Sequence, residues 1–209
     1  MMTVIGNDLI NLKNHDNLNT LCRHGIEKFF TQEELSFIAL QNTKHGLACL
    51  WAMKESAYKC ILKLGHKKAF SPAKYKIKAY QEGACIFGEV HYGDQVFFAK
   101  CIEDGDFVRS IATNHQTKLR SVKSLHIRFN HNSTNKEEQI ARKIQKYNHS
   151  EPLTLNKTNN NIPFLLTARK NFRLEISISN ESNLYYISVL PEWIRINSDL
   201  VNTGIYAYA

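Results

Sequence analysis

The chain has 209 residues, of which 43% are hydrophobic, and a formal net charge of +8. It is long enough to bury a core, as one domain or as two related halves. No apolar run reaches the roughly 18 residues that a membrane-spanning helix needs, and the amino terminus lacks the segments of a secretion signal. We therefore expect a cytoplasmic location and no membrane association. Five cysteines without close pairing argue against a disulfide framework or a zinc site.

The first part of the chain is predicted to fold as a strand, three helices and a series of strands. The predicted bounds are 2–10 for the strand, 17–29, 31–41 and 44–64 for the helices, and strands from there to residue 114. The strand begins with an apolar run, Met2 to Ile5, which would place Asp8 at its end. Thr31 and Glu34 have the capping-box spacing, and Gly65 is expected to end the third helix.

A polar, basic stretch at 115–136, with a possible strand at 124–129, is the expected linker. A charged helix at 137–147 and a strand at 185–190 follow it. The predicted organisation is therefore 1–114, 115–136 and 137–209. Each half would pack a helix against a sheet, which is an α+β fold.

The third predicted helix carries a possible chemical motif. Leu47, Leu50 and Ile61 recur with helical period, which indicates a buried face. Glu55 and Lys59 are four residues apart and lie one turn above the other, so a carboxylate there can hold a cation while an ammonium reaches a phosphate. Asp8 would be the second carboxylate. A Glu/Lys pair at this spacing is most often an ordinary surface pair.

The order and spacing of several motifs resemble those of the 4′-phosphopantetheinyl transferase superfamily. The matching residues are Gly6 and Asp8, then Arg23, then Phe29 to Glu34, and then Trp51 to Lys59 with its Trp-x-x-Lys-Glu pattern. The strands from 70 to 114 continue the likeness. Together these segments cover about half of the chain.

The resemblance implies a transferase that moves the 4′-phosphopantetheine arm of coenzyme A to a serine of an acyl or peptidyl carrier protein. Such enzymes serve fatty acid, polyketide or nonribosomal peptide biosynthesis. It implies that Asp8 and Glu55 bind Mg²⁺, that Lys59 and Lys54 contact the phosphates of coenzyme A, and that Glu55 and Lys59 are catalytic. Glu55 would take the serine proton directly or through water, or serve the metal alone.

The second half resembles the amino-terminal half of the larger, surfactin-type members, in the segments 161–164 and 174–182. That likeness implies that Ser179 and Asn180 bind coenzyme A and that the two halves are in permuted order, with one chain acting as a monomer. The alternative is the short, holo-acyl-carrier-protein-synthase type with a long insertion. That type would be an oligomer, a trimer in the family.

This chain also departs from the family pattern. Asn180 stands where the family has histidine, Ile162 where it has lysine, and Ile10 where surfactin-type members have a second acid. A catalytically silent homologue that binds carrier protein or coenzyme A is therefore one alternative to transfer.

Three kinds of partner could explain the positive charge: a nucleic acid, a membrane surface, or an acidic protein together with a phosphorylated ligand. A basic nucleic-acid-binding protein is one alternative, but no zinc-finger, RNP-like or phosphate-loop pattern supports it. No basic amphipathic helix with a strong apolar face supports the membrane surface. We expect no nucleic acid partner, and expect the charge to attract an acidic carrier protein. The candidate basic residues are Lys44, Lys63, Lys67, Lys68, Lys74, Lys76 and Lys78.

Overall fold

The structure is a computed structural model that describes residues 3–13, 25–66, 69–130, 134–148, 152–158, 161–168, 172–181 and 183–195. Two five-stranded antiparallel sheets with helices packed on them make up these ranges. The expected α+β fold is confirmed. No helix in the described part of the chain is long and apolar enough to cross a membrane.

The first sheet has the order β1-β5-β4-β3-β2. The strands of this sheet and the helices packed on it are, in chain order, β1 (Ile5–Asn11), α1 (Gln32–Leu40), α2 (Thr43–Lys63), β2 (Lys76–Glu82), β3 (Cys85–Tyr92), β4 (Gln95–Asp104) and β5 (Phe107–Thr113). Short 3-10 helices occupy Ile26–Lys28 and Pro72–Lys74. Hairpins join the last four strands, and β5 returns to pair with β1.

The second sheet has the order β6-β10-β9-β8-β7. A short helix, α3 (Gln116–Leu119), precedes β6 (Lys123–Arg128), α4 (Lys136–Asn148), β7 (Leu153–Lys157), β8 (Pro163–Thr167), β9 (Phe172–Glu181) and β10 (Leu184–Arg195). This sheet follows the same path as the first: a strand, a helix region, then a four-stranded meander whose last strand pairs with the first. The repeated topology confirms the expectation of two similar helix-on-sheet halves.

The long helix α2 fills the inner face of the first sheet. Leu47, Leu50 and Ile61 are almost completely buried in its core, as their spacing predicts. Gly65 follows the helix with φ of +91°, the left-handed conformation that commonly ends helices. The helix α1 begins with the predicted capping box between Thr31 and Glu34.

The two halves meet along β1, which lies against β9 and β10. Alternate residues of a strand point to opposite faces. Leu174, Ile176 and Ile178 point into the core of the second half, so the serines at 177 and 179 point the other way, toward β1. The seam between the halves is consequently rich in buried polar groups.

The structure bears on three expectations about the elements. Asp8 lies in the middle of β1 and not at a strand end, because the polar groups around it find partners in the second half. Within the stretch 115–136, the possible strand at 124–129 is present as β6, and α4 begins at the last residue of the stretch. The first predicted helix, 17–29, falls mostly outside the described residues, as does Arg23, and residues 26–28 form a single 3-10 turn.

Candidate active site

The Lys59 ammonium is the point at which the two halves and the motif helix meet. Its Nζ lies 2.6 Å from the Asn7 carbonyl oxygen and 3.1 Å from Asp8 Oδ1, both in β1. It also lies 2.6 Å from Ser179 Oγ in β9. A lysine ammonium has three N–H donors, and each has an oxygen within reach here. Three residues that the sequence predicts as site residues are therefore in direct contact, although 120 positions separate Lys59 from Ser179.

Gly6 makes this contact possible, because it lets β1 approach the helix closely. A Cβ atom at Gly6 would overlap the carbonyl oxygen of Ser56 in α2 and press on the Cβ of Lys59. Only a residue without a side chain lets β1 and α2 lie this close. The glycine two residues before Asp8 thus sets the distance between Asp8 and Lys59.

The Asp8 carboxylate is buried at this point, with 7% of the residue exposed. Burial raises its pKa above the ordinary value, and the Lys59 ammonium opposes that rise only in part. Glu181 adds to the rise in pKa through its negative charge. It lies on the same face of β9 as Ser179 and is a second acidic group near Asp8.

Glu55 precedes Lys59 by one helical turn and is partly buried. The indole nitrogen of Trp51 donates to its Oε1 at 2.8 Å. The Trp51 ring is itself held edge-on by Phe29 and Phe70, with centroid distances of 6.1 and 5.6 Å. The tryptophan of the motif therefore orients the carboxylate of the motif.

Lys54, which the resemblance assigns to coenzyme A, does not face this cluster. Its side chain is 1% exposed and forms a salt bridge with Glu34 at 2.9 Å. Its ammonium also lies within hydrogen-bonding distance of the carbonyl oxygens of Phe29, Pro72 and Tyr75. Burial lowers its pKa, and the Glu34 charge opposes this. Lys54 joins α1, α2 and the start of β2, which is a structural role.

The two positions at which this chain departs from the family pattern also have defined places. Asn180 is exposed and lies on the opposite face of β9 from Ser179, so it points away from Lys59. Ile162 is 8% exposed just before β8. Among the predicted basic surface residues, Lys63 is buried and paired with Glu175, which corrects that expectation, while Lys67 and Lys68 lie outside the described residues.

Two residues of this site were not predicted from the sequence. Asn7 is fully buried beside Asp8 and hydrogen-bonds to both Ser179 and the second sheet. Its only signal in the sequence is an amide directly after the apolar start of the strand. Glu181 has no signal of its own, because its position near Asp8 depends on how the two halves pack.

The donor atoms available for a metal are carboxylate oxygens. Asp8 and Glu55 suit Mg²⁺, a hard cation that keeps several waters and needs one or two carboxylates from the protein. Within the ranges that the structure describes, there is no group of three or more histidine, cysteine, aspartate or glutamate side chains placed to bind a metal ion. Substrate phosphates and water would have to supply the remaining ligands.

Comparison with known families decides the class of protein. A family model described as the 4′-phosphopantetheinyl transferase superfamily matches residues 4–144. The chain belongs to this superfamily. The matched segment of this transferase homologue contains Asp8, Glu55 and Lys59 and ends within α4, before Ser179.

Other comparisons are more distant. No curated protein matches the chain. Among solved structures, the ACPS–CoA complex of Chronobacterium ammoniagenes matches with 18% identity and a TM-score of 0.41, covering 54% of this chain and 96% of that one.

Proposed function

We propose that this protein transfers the 4′-phosphopantetheine arm of coenzyme A to a serine of an acyl or peptidyl carrier protein, with Mg²⁺, and releases 3′,5′-adenosine bisphosphate. The observation that carries the proposal is the contact of Lys59 with Asp8 and Ser179, in a chain that belongs to the superfamily. A partly exposed ammonium held beside a carboxylate suits a reaction in which charge develops on phosphate oxygens.

Lys59 is the group that we propose to stabilise the leaving phosphate. All three of its donors have protein acceptors, and the contact with Asp8 is the longest at 3.1 Å. The donor directed at Asp8 is therefore the one that turns to a phosphate oxygen when coenzyme A binds. The shorter contacts, with Asn7 and Ser179, keep the ammonium in place meanwhile.

Asp8 and Glu55 are the residues that we propose to hold Mg²⁺. When bound, the ion would neutralise charge on the pyrophosphate of coenzyme A. Trp51 fixes the direction of Glu55 through the hydrogen bond to Oε1. From that position Glu55 would accept the serine proton of the carrier protein, directly or through one water.

The carrier protein is proposed as the acidic partner of a basic chain. The net charge of +8 favours and orients encounters with an acidic protein. Lys74, Lys76 and Lys78 are exposed near and along β2 and are available for this. Lys63 is not, because it is buried at the seam.

One chain is proposed to suffice for the site. Ser179 of the second half reaches Lys59 of the first half within the same chain. The short type of the family would instead complete its site from a neighbouring copy. We therefore propose the two-half, permuted form acting as a monomer.

A silent homologue that binds coenzyme A without transfer is the second candidate. The observation that favours it is the placement of Asn180 and Ile162: the first points away from Lys59 and the second is buried. Neither can supply a charge to the phosphates of coenzyme A.

The test is the intact mass of a carrier protein incubated with the wild-type chain and coenzyme A, with Mg²⁺ or with a chelator. We expect a gain of one phosphopantetheine arm that requires the metal and that disappears when the acceptor serine of the carrier is replaced by alanine. No gain with several carrier proteins, combined with coenzyme A binding in calorimetry, would favour the silent homologue.

A further inference from the structure

Asn7 occupies the middle position of the Gly6-Asn7-Asp8 motif and is completely buried at the seam between the halves. We propose that Asn7 is a positioning residue that fixes where Lys59 and Ser179 meet, so that the second half of the chain directs the ammonium of the first. This inference rests on the proposed function, since the group that it positions is the proposed phosphate-stabilising lysine.

The side-chain and main-chain N–H groups of Asn7 donate hydrogen bonds to the second sheet. Its Nδ2 lies 2.9 Å from the Tyr186 carbonyl oxygen, 3.1 Å from the Ser177 carbonyl oxygen and 3.2 Å from Ser188 Oγ. Its main-chain N–H donates to Ser177 Oγ at 3.0 Å. Edge strands expose such main-chain groups, and here β9 and β10 supply their partners.

The two oxygen atoms of Asn7 accept hydrogen bonds from groups of the proposed site. Ser179 Oγ lies 3.0 Å from Asn7 Oδ1 and 2.8 Å from the Asn7 carbonyl oxygen, so the single serine proton is directed at Asn7. The lone pairs of Ser179 Oγ are thereby left for Lys59, at 2.6 Å. The Asn7 carbonyl oxygen accepts from Lys59 as well.

The surroundings of the amide allow one orientation only. Two carbonyl oxygens face Nδ2, and exchanging the nitrogen and oxygen would set Oδ1 against both of them and remove one of the two acceptors of Ser179. The amide therefore transmits the position of β9 and β10 to the hydroxyl of Ser179 and through it to Lys59. An apolar side chain of similar size would leave the Ser179 proton and two carbonyl oxygens without this partner.

The test is a double-mutant cycle of Asn7→Ala and Lys59→Ala, measured as kcat for transfer per folded molecule, with unfolding measured in parallel. Ser188→Ala is the matched control, because it removes one partner of the same amide and has no contact with Lys59. We expect Asn7→Ala to lower kcat on the order of 10²-fold. In the Lys59→Ala background it should cause little further loss, while its effect on unfolding appears in both backgrounds. Ser188→Ala should keep the wild-type kcat.

Three results would overturn the inference. They are an equal loss of kcat in both backgrounds, a wild-type kcat in folded Asn7→Ala, and a loss in Ser188→Ala as large as that in Asn7→Ala. Failure of the proposed function is seen separately, as absence of transfer by the wild type. In that event the same double-mutant cycle is carried out with coenzyme A affinity as the readout. Non-additive losses of affinity support the inference, and additive losses overturn it. A wild type that neither transfers nor binds coenzyme A overturns both.

Discussion

At the scale of single residues, the site combines a cation with a carboxylate that is buried at a cost to the fold. Because burial raises the pKa of Asp8, the folded chain keeps this proton at pH values at which the unfolded chain has released it. The free energy of unfolding therefore falls as pH rises from the unfolded pKa through the folded one. At pH values above the folded-state pKa of Asp8, burial of the ionised carboxylate lowers the free energy of unfolding by its full amount.

The first prediction follows for Asp8→Asn. At pH 7 the variant should unfold at a temperature equal to or above that of the wild type, while transfer falls on the order of 10²-fold or more. The stability difference between variant and wild type should increase with pH, measured by chemical denaturation across the acidic range. Asp106→Asn is the control, since this exposed aspartate pairs with Lys13 at the surface and should show neither effect. A variant less stable than the wild type at pH 7 would contradict the account.

Gly6 gives a second prediction at this scale. Gly6→Ala should lower the free energy of unfolding by about 3 kcal/mol, because the new Cβ meets a backbone oxygen that cannot move without separating β1 from α2. It should also lower transfer by moving Asp8 away from Lys59. Gly83→Ala is the control: it faces open space at φ of +60° and should cost about 1–2 kcal/mol from backbone strain alone. Equal costs at the two glycines would contradict the close approach.

At the scale of elements, neighbouring residues of the motif helix α2 have different roles. Some stabilise the fold, and others belong to the proposed site. Lys54 points into the join between α1, α2 and β2, whereas Lys59 points to the seam. Helical geometry separates these directions, since adjacent residues lie about 100° apart around the axis. A lysine next to the proposed catalytic glutamate in sequence therefore has a different task.

The third prediction separates those tasks. Lys54→Ala should destabilise the protein by about 3–5 kcal/mol, because Glu34 would stay buried without its counter-charge. Coenzyme A affinity per folded molecule should be unchanged, as calorimetry below the unfolding temperature can measure. Lys44→Ala, at an exposed site on the same helix, should alter neither. A selective loss of coenzyme A affinity in folded Lys54→Ala would restore the role that the motif predicts.

The sequence predicted the elements well where local signals are strong. The capping box of Thr31 and Glu34, the helix end at Gly65 and the apolar period of α2 depend on neighbours within a few positions, and the structure has all three. The position of Asp8 within its strand was wrong, because the strand continues through polar residues whose partners lie about 170 positions away.

The burial of the polar face of β9 could not be predicted from the local sequence either. Alternation of polar and apolar residues normally indicates a solvent-exposed face. Here Ser177 and Ser179 are buried against β1, and only the packing of the two halves makes this evident. The family resemblance identified Ser179, while Asn7 and Glu181 depended on that packing and were missed.

At the scale of the whole molecule, buried charges join the two halves beside the site. Lys63 of α2 lies 3.5 Å from Glu175 and also donates to the Ile176 carbonyl oxygen. Arg173 lies 2.6 Å from the other oxygen of Glu175. One buried carboxylate thus balances two buried cations at the seam, and it belongs to the same strand as Ser179.

The fourth prediction concerns this carboxylate. Glu175→Gln should lower the free energy of unfolding by about 3–5 kcal/mol, because both cations lose their counter-charge in a buried place. Glu137→Gln is the matched control, since its pair with Lys157 is about half exposed and should be worth less than about 1 kcal/mol. Urea unfolding of both variants gives the comparison. Similar small losses would show that the seam does not depend on this charge.

The central claim is that transfer occurs at the seam where Lys59 of one half meets Ser179 of the other. The most direct test is the single-turnover rate of phosphopantetheine transfer by Lys59→Ala, beside Lys143→Ala as a folded control at an exposed lysine of α4. We predict a loss on the order of 10²- to 10³-fold for Lys59→Ala and none for Lys143→Ala. A folded Lys59→Ala protein that transfers at the wild-type rate would contradict the account.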